Sequence, residues 1–172
     1  MARSRVVFFV SSAGYEAAWS SMSLGITAAA FGDDVVFVFA FEALKSLAHG
    51  TFGKPLTDRE RAEFTRGEGI GAPLPSRMLV DARAMGARAI ACDTTVKLCG
   101  LVGADLEREG LLDEVLGLPQ IWRLTDGART LTFSKRSTMR NSTFTGFCVV
   151  EVLSRVQRSP RKVTLLVLKS YE

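Results

Sequence analysis

Four short apolar runs recur along the chain, and each has the character of a strand. The first two, Arg5–Ser11 (RVVFFVS) and Asp34–Phe41 (DVVFVFAF), are rich in valine and phenylalanine and show no alternation with polar residues. Such unbroken runs are typical of parallel strands that are covered on both faces. Two shorter runs, Ala87–Cys92 (ARAIAC) and Arg129–Phe133 (RTLTF), complete the set of four predicted strands.

Segments with helical spacing lie between these runs. The first, Tyr15–Phe31, repeats apolar residues every three or four positions and is followed by Gly32, a common helix terminator. Strands that alternate with helices favour an α/β fold, with a mainly parallel open sheet and helices on both faces, in three layers. The further helices are expected at Glu42–His49, Ser76–Gly86, Asp93–Leu101 and Leu118–Asp126, and Ala104–Leu116 is expected to be partly helical.

A segment rich in glycine and proline interrupts this alternation between Gly50 and Pro75. Within it, Thr57 and Glu60 have the spacing of a capping box, which predicts a short helix from Asp58 to about Arg66. Long excursions from a sheet are usually lids or interaction loops. We therefore expect one of these two roles for residues 50–75.

The net charge of +4 is unevenly distributed. Residues 1–133 carry fourteen basic and sixteen acidic residues, whereas residues 134–172 carry eight basic and two acidic ones. The chain therefore divides into a mildly acidic α/β domain, 1–133, and a basic C-terminal extension, 134–172. The extension holds two apolar runs, Phe147–Leu153 and Val163–Leu168, which suggest a β-rich structure.

Three interpretations of the extension remain open. The two apolar runs could form a hairpin added to the sheet or to a neighbouring subunit. The clustered Arg and Lys side chains could contact nucleic acid or an acidic partner, although they flank the strands and are not interleaved with aromatic residues, which argues against nucleic acid. The extension could also lie outside the evolved fold, in which case its exposed strand edges would favour aggregation.

Cysteine usage and hydropathy indicate a protein of the reducing cytoplasm. The three cysteines, Cys92, Cys99 and Cys148, are an odd number without metal-site spacing, so neither a disulfide framework nor a metal site is expected. No cofactor motif is found either. The apolar run at residues 6–10 is too short for a signal peptide, and no run approaches the ~18 residues of a membrane span. We expect a soluble protein with no membrane contact.

Candidate chemistry gathers where the predicted strands end, since ligands of open α/β sheets bind beyond the carboxyl ends of the strands. Cys92 stands at such an end, directly before a helix whose positive N-terminus could stabilise a thiolate. Lys97 would add positive charge and Asp93 would oppose it. The alternative is that Cys92 is a small buried apolar residue at a tight crossover, and for Cys99 a core position is expected.

A second candidate is the loop after the first strand. Ser11, Ser12 and Gly14 precede a helix N-terminus, where an anion is favoured. A simple capped turn is the alternative. His49 is the only histidine and is expected to be a cation near a helix C-terminus. Trp122, with Ile121, fits a core or subunit-interface stripe.

The layout of strand, Ser/Gly loop, Ala-rich helix and Val/Phe strand, followed by "ACDTTVKLCGL" and "LPQIWRLTDGARTLTF", resembles the DsrE/DsrF-like proteins of sulfur relay over about residues 5–133. The resemblance implies a flavodoxin-like three-layer α/β/α sandwich that assembles as a homo-oligomer, a trimer or hexamer. It also implies that Cys92 accepts a persulfide sulfur from a donor protein and passes it to an acceptor. Thr95 stands where some members carry their reactive cysteine.

Two functions follow. In the first, Cys92 is the catalytic thiol of an intracellular sulfur carrier or sulfurtransferase. Thr94, Thr95 and the backbone N–H groups at the helix start would stabilise the anionic sulfur, with Asp93 beside them, and no cofactor would be needed. In the second, the chain is a non-catalytic DsrE-like module that binds a small ligand or assembles with partners.

Overall fold

The computed structural model describes residues 4–107, 110–135, 148–154 and 161–164. Strands and helices alternate through the first part of the chain, as the sequence predicts. The strands are β1 (Arg5–Val10), β2 (Asp34–Phe39), β3 (Arg88–Cys92), β4 (Glu114–Leu116), β5 (Arg129–Lys135), β6 (Cys148–Ser154) and β7 (Arg161–Thr164). The helices are α1 (Tyr15–Ala30), α2 (Phe41–Ala48), α3 (Asp58–Gly69), α4 (Pro75–Ala84), α5 (Asp93–Leu98), α6 (Gly103–Glu107) and α7 (Leu118–Leu124).

The strands form one sheet in the order β4-β3-β2-β1-β5-β6-β7. The first five strands along the chain all pair parallel with one another, so the expected α/β fold with a parallel sheet is confirmed. β6 pairs antiparallel with β5, and β7 pairs antiparallel with β6. The remainder of the basic extension lies outside the described residues, and the boundary at residue 133 stays a prediction.

The two faces of the sheet are covered unequally. Side chains of Phe8, Phe37 and Phe133 on one face pack beneath α1, α2 and α4, in the larger of two apolar clusters. The opposite face holds a smaller cluster, in which Val7 and Ile90 pack with Ile121 of α7. From β1 to β4, each strand lies beside the one before it, and the connections between them place α1, α2 and α4 on one face of the sheet. The chain then crosses from β4 to β5, on the other side of β1, and this connection places α7 on the opposite face.

Two element predictions are wrong in detail, and one strand was not predicted. Ala104–Leu116 was expected to be partly helical, which the short helix α6 confirms, but the edge strand β4 was not expected. Three residues of mixed polarity carry no recognisable strand period. The second strand was expected to include Phe41, which instead begins α2, because the chain turns there with a φ of +48°. The helix after β3 ends at Leu98 rather than Leu101.

Candidate functional site

The carboxyl ends of β1, β2 and β3 lie side by side and define the edge where the sequence placed its candidate site. The loop Ser11–Gly14 follows β1, and Cys92–Thr95 follows β3. Since β2 lies between these strands, the two groups are separated by two strand spacings, about 10 Å. The structure brings them to one edge but does not bring them into one contact site.

The loop after β1 is held by hydrogen bonds to its surroundings. The backbone N–H groups of Ser11 and Ser12 donate to the carbonyl oxygen of Phe133, at 3.0 and 3.3 Å. Gly14 N–H donates to the Ser12 hydroxyl oxygen at 3.3 Å, and Tyr15 N–H donates to Glu60 Oε1 at 3.1 Å. The loop is therefore a capped turn, and a carboxylate of the chain itself already lies at the N-terminus of α1.

Cys92 ends β3 and is the N-cap residue of α5, without a side-chain capping bond. Asp93 and Thr94 lie within the first turn of this helix. Only 6% of Cys92 is exposed, and the residue belongs to the apolar cluster of Ile90 and Ile121 beneath α7. The thiol is thus positioned by the chain reversal at the strand end and enclosed by hydrocarbon side chains.

The residues beside Cys92 point in different directions. Asp93 pairs with Lys97 one turn along α5, with 2.8 Å between Oδ2 and Nζ, so each charge offsets the other. Thr94 is exposed, whereas Thr95 is 2% exposed and faces the interior. Cys92 and Thr95 are therefore buried and Thr94 is not, so the three do not share one accessible surface.

Cys99 was expected in the core, but it is only half-buried at the C-terminal end of α5. It lies near Lys45 of α2. The Glu42 carboxylate, 2.6 Å from the Lys45 ammonium, raises the pKa of Lys45; burial lowers this pKa, and negative charge on Cys99 raises it slightly further. Lys45 therefore stays protonated, and the more accessible of these two thiols is the one beside a cation.

A shallow cleft of about 270 Å³ lies at the same edge, between the loop after β1 and α2. Glu42, Lys45 and His49 place the charged and titratable groups of its wall on one face of α2. His49 is exposed at the helix C-terminus, which confirms the position expected for it. The lining residues are Ala13, Glu42, Lys45, Ser46, His49, Thr51 and Leu56.

Phe41 stands between the two halves of the predicted site, at the carboxyl end of β2. Its φ of +48° is uncommon for a bulky residue, and its side chain is 53% exposed. Backbone strain of this kind often marks functional positions. Sequence patterns cannot show it, because Phe41 simply continues the apolar run of β2.

Three further observations on the described residues concern metal binding, membrane-spanning helices and a second cleft. No group of three or more His, Cys, Asp and Glu side chains in the described ranges could hold a metal ion. No helix among the described residues is long and apolar enough to cross a membrane. A second cleft, at the amino end of the sheet, is lined by Arg5, Asp33 and Asp34, which are engaged in ion pairs, together with Met85 and Gly86.

No protein-family model matches the chain, and no curated protein matches it. Among solved structures, it is similar to MTH1491, a protein of unknown function from Methanobacterium thermoautotrophicum. The two share 19% sequence identity with a TM-score of 0.48, over 75% of this chain and 98% of that one.

Proposed function

We propose that this chain is a non-catalytic small-ligand-binding and assembly module of the DsrE-like type. The observation that carries the proposal is the enclosure of Cys92, which is 6% exposed within an apolar cluster. A sulfur carrier acts through a thiol that a donor protein can reach, and the enclosed position of Cys92 does not offer that access.

The ligand site in this proposal is the cleft along α2. It lies at the carboxyl edge of a parallel sheet, where α/β proteins bind ligands. Lys45 stays protonated there as the ion-pair partner of Glu42, with His49 one turn further along the helix. The hydroxyl groups of Ser46 and Thr51 on the same wall donate to backbone carbonyl oxygens of the chain. The Lys45 ammonium would attract a small polar molecule whose acidic group takes the place of Glu42.

The ligand is tested by thermal unfolding of the protein with a panel of small mono- and dicarboxylic acids. We expect at least one of them to raise the Tm of the wild-type protein by mass action, and Lys45→Gln to abolish that rise. Lys97→Gln is the matched control, since Lys97 is an ion-paired and exposed lysine outside the cleft. An equal rise in Lys45→Gln, or no rise with any acid, would contradict the proposed site.

The proposal also includes assembly. The chain is a flavodoxin-like three-layer sandwich in the cytoplasm, and its copies associate through α7 into a trimer or hexamer. Ile121 of this helix faces the core, whereas Leu118 and Trp122 are 57% and 73% exposed. Trp122 is therefore not a core residue, and a subunit interface is the remaining interpretation of its stripe. Light scattering after size exclusion should give an oligomeric mass that Trp122→Ser reduces.

Sulfur relay is the second candidate, because Cys92 is the N-cap of α5 at the correct edge of the sheet. Its thiolate would attack the outer sulfur of a donor persulfide, forming Cys92–S–SH and releasing the donor thiolate. An acceptor thiolate would then attack that outer sulfur and release Cys92. An adduct of about 32 Da, one sulfur atom, on wild type and Cys99→Ser but not on Cys92→Ser would favour this candidate over the first.

A further inference from the structure

Residues 54–74 are attached to the body of the protein mainly at their two ends. Phe52, just before them, is 3% exposed and packs edge-on against Phe39, with 5.5 Å between ring centroids. Pro75, just after them, is buried at the start of α4. Between these anchors, where the structure describes every residue, no side chain is buried, and α3 is included in this exposed stretch.

Glycines with positive φ lie at both ends of this stretch. Gly53 has a φ of +73° and Gly71 a φ of +71°. A backbone conformation that other residues rarely adopt lets the chain change direction sharply at each end. The segment therefore has the construction of a lid: two anchored ends, two turning points and a helix between them.

Among the described residues, the contacts between the lid and α1 gather at the first turn of that helix. Glu60 Oε1 accepts from the backbone N–H of Tyr15 at 3.1 Å. Arg59 pairs with Glu16, 3.0 Å apart, and the ring of Phe64 meets the ring of Tyr15 edge-on at 5.9 Å. Segments held by few and largely exposed contacts open at lower free energy than the core.

Glu60 links this attachment to the cleft. Its other oxygen, Oε2, accepts from the backbone N–H groups of Leu56 and Thr57, at 2.9 and 3.1 Å. Leu56 forms part of the cleft wall, opposite the residues of α2. One carboxylate therefore fixes the cleft wall on one side and the N-terminus of α1 on the other.

We propose that residues 54–74 are a hinged lid over the α2 cleft, with Glu60 as its latch and Gly53 and Gly71 as its hinges. In the closed state, Glu60 bridges Leu56 and Tyr15 and holds the lid down. In the open state, the Glu60–Tyr15 bond is broken and Leu56 moves away from the cleft. These contacts support the lid motion by themselves. Only the role of that motion in admitting a ligand rests on the proposed function.

The substitution Glu60→Gln separates the latch from the helix cap. A glutamine has one acceptor oxygen, which can keep the capping box at Thr57, because glutamine also occupies that position in capping boxes. Its amide group then faces the Tyr15 N–H, and two donors cannot bond. The latch is lost while α3 keeps its N-terminal cap.

Hydrogen exchange followed by mass spectrometry tests the latch on the full chain. Glu60→Gln should raise the exchange rate of peptides from residues 54–69 by about tenfold, the effect of losing one charge-assisted bond. Peptides from β1 and β2 should exchange as in wild type. The matched control, Glu107→Gln, changes an exposed carboxylate of α6, outside residues 54–74, and should leave the lid unchanged.

Two results would overturn the lid. In one, Glu60→Gln and Glu107→Gln exchange alike in residues 54–69. In the other, the faster exchange of Glu60→Gln extends equally through β1 and β2, which would mean that Glu60 supports the whole fold. If the lid opens as expected but no carboxylic acid binds, the hinged lid is supported and only the proposed ligand site is rejected.

Discussion

At the scale of single residues, Asp113 shows how one carboxylate joins separate parts of the chain. It accepts hydrogen bonds from the Arg83 guanidinium of α4 and, at 2.6 Å, from the backbone N–H of Ala89 in β3. Burial raises the pKa of Asp113, but these bonds and the charge of Arg88 outweigh it, so the pKa lies below its ordinary value. The ionised form therefore stabilises the fold.

The pH dependence of this contribution follows from the direction of the shift. Since the folded pKa is lower than the unfolded value of about 3.9, the stabilisation is complete above about pH 4 and is lost as the pH falls through the folded pKa. Asp113→Asn should lower the free energy of unfolding at pH 7 by about 1–3 kcal/mol. It should also reduce the loss of stability as the pH falls below about 4.

Urea unfolding at a series of pH values measures both effects. Asp126→Asn is the control, because Asp126 is an exposed carboxylate in the turn after α7. If Asp113→Asn had the same stability and the same acid dependence as Asp126→Asn, the bonds to Arg83 and Ala89 would contribute nothing.

Single residues also show which features of the site the sequence could predict and which it could not. The residue type and position of Cys92, at a strand end before a helix, could be predicted from local pattern. Its enclosure could not, because that depends on an apolar cluster that Ile121 joins only through the packing of α7 across the sheet. Likewise, the capping box of Glu60 is visible in the sequence, whereas its bond to Tyr15, forty-five residues away, is not.

At the scale of elements, the long periodic segments were predictable and the short ones were not. The Val/Phe runs of β1 and β2 and the period of α1 are strong local signals. β4 has three residues, and its pairing with β3 is fixed by tertiary contacts such as the Arg83–Asp113 bond beside it. A short edge strand of this kind is stabilised by its neighbours rather than by its own sequence.

The packing of α1 on β2 can be tested by a substitution at the point of closest approach. A Cβ atom placed on Gly25 of α1 would lie 2.1 Å from Cζ of Phe37, a fully buried ring of β2. Gly25→Ala should therefore lower the free energy of unfolding by about 1–3 kcal/mol, in spite of the better helix propensity of alanine. The measurement is equilibrium unfolding in urea.

Gly69→Ala is the matched substitution, because no atom lies within 4 Å of the added Cβ there. It should change the stability by less than about 0.5 kcal/mol. A Gly25→Ala protein as stable as Gly69→Ala would mean that α1 does not pack on Phe37 as described.

For the molecule as a whole, the sequence could predict that the strands are parallel but not the order in which they lie in the sheet. Alternating strands and helices indicate a parallel sheet, yet they do not say that β5 lies beside β1, on the side away from β2. Among the helices of the described residues, that placement leaves only α7 on its face of the sheet. It also brings Ile121 of α7 into the apolar cluster that contains Cys92, so the topology affects how accessible the thiol is.

The accessibility of the thiols distinguishes a structural Cys92 in a binding module from the reachable thiol of a sulfur carrier. It is measured by alkylation of the native protein with iodoacetamide at neutral pH, followed by site-resolved mass spectrometry. We expect Cys99 to be labelled in the native state and Cys92 only when the protein unfolds. If Cys92 of the native protein is labelled at a rate close to that of the unfolded chain, Cys92 is not a structural residue and the binding-module proposal fails.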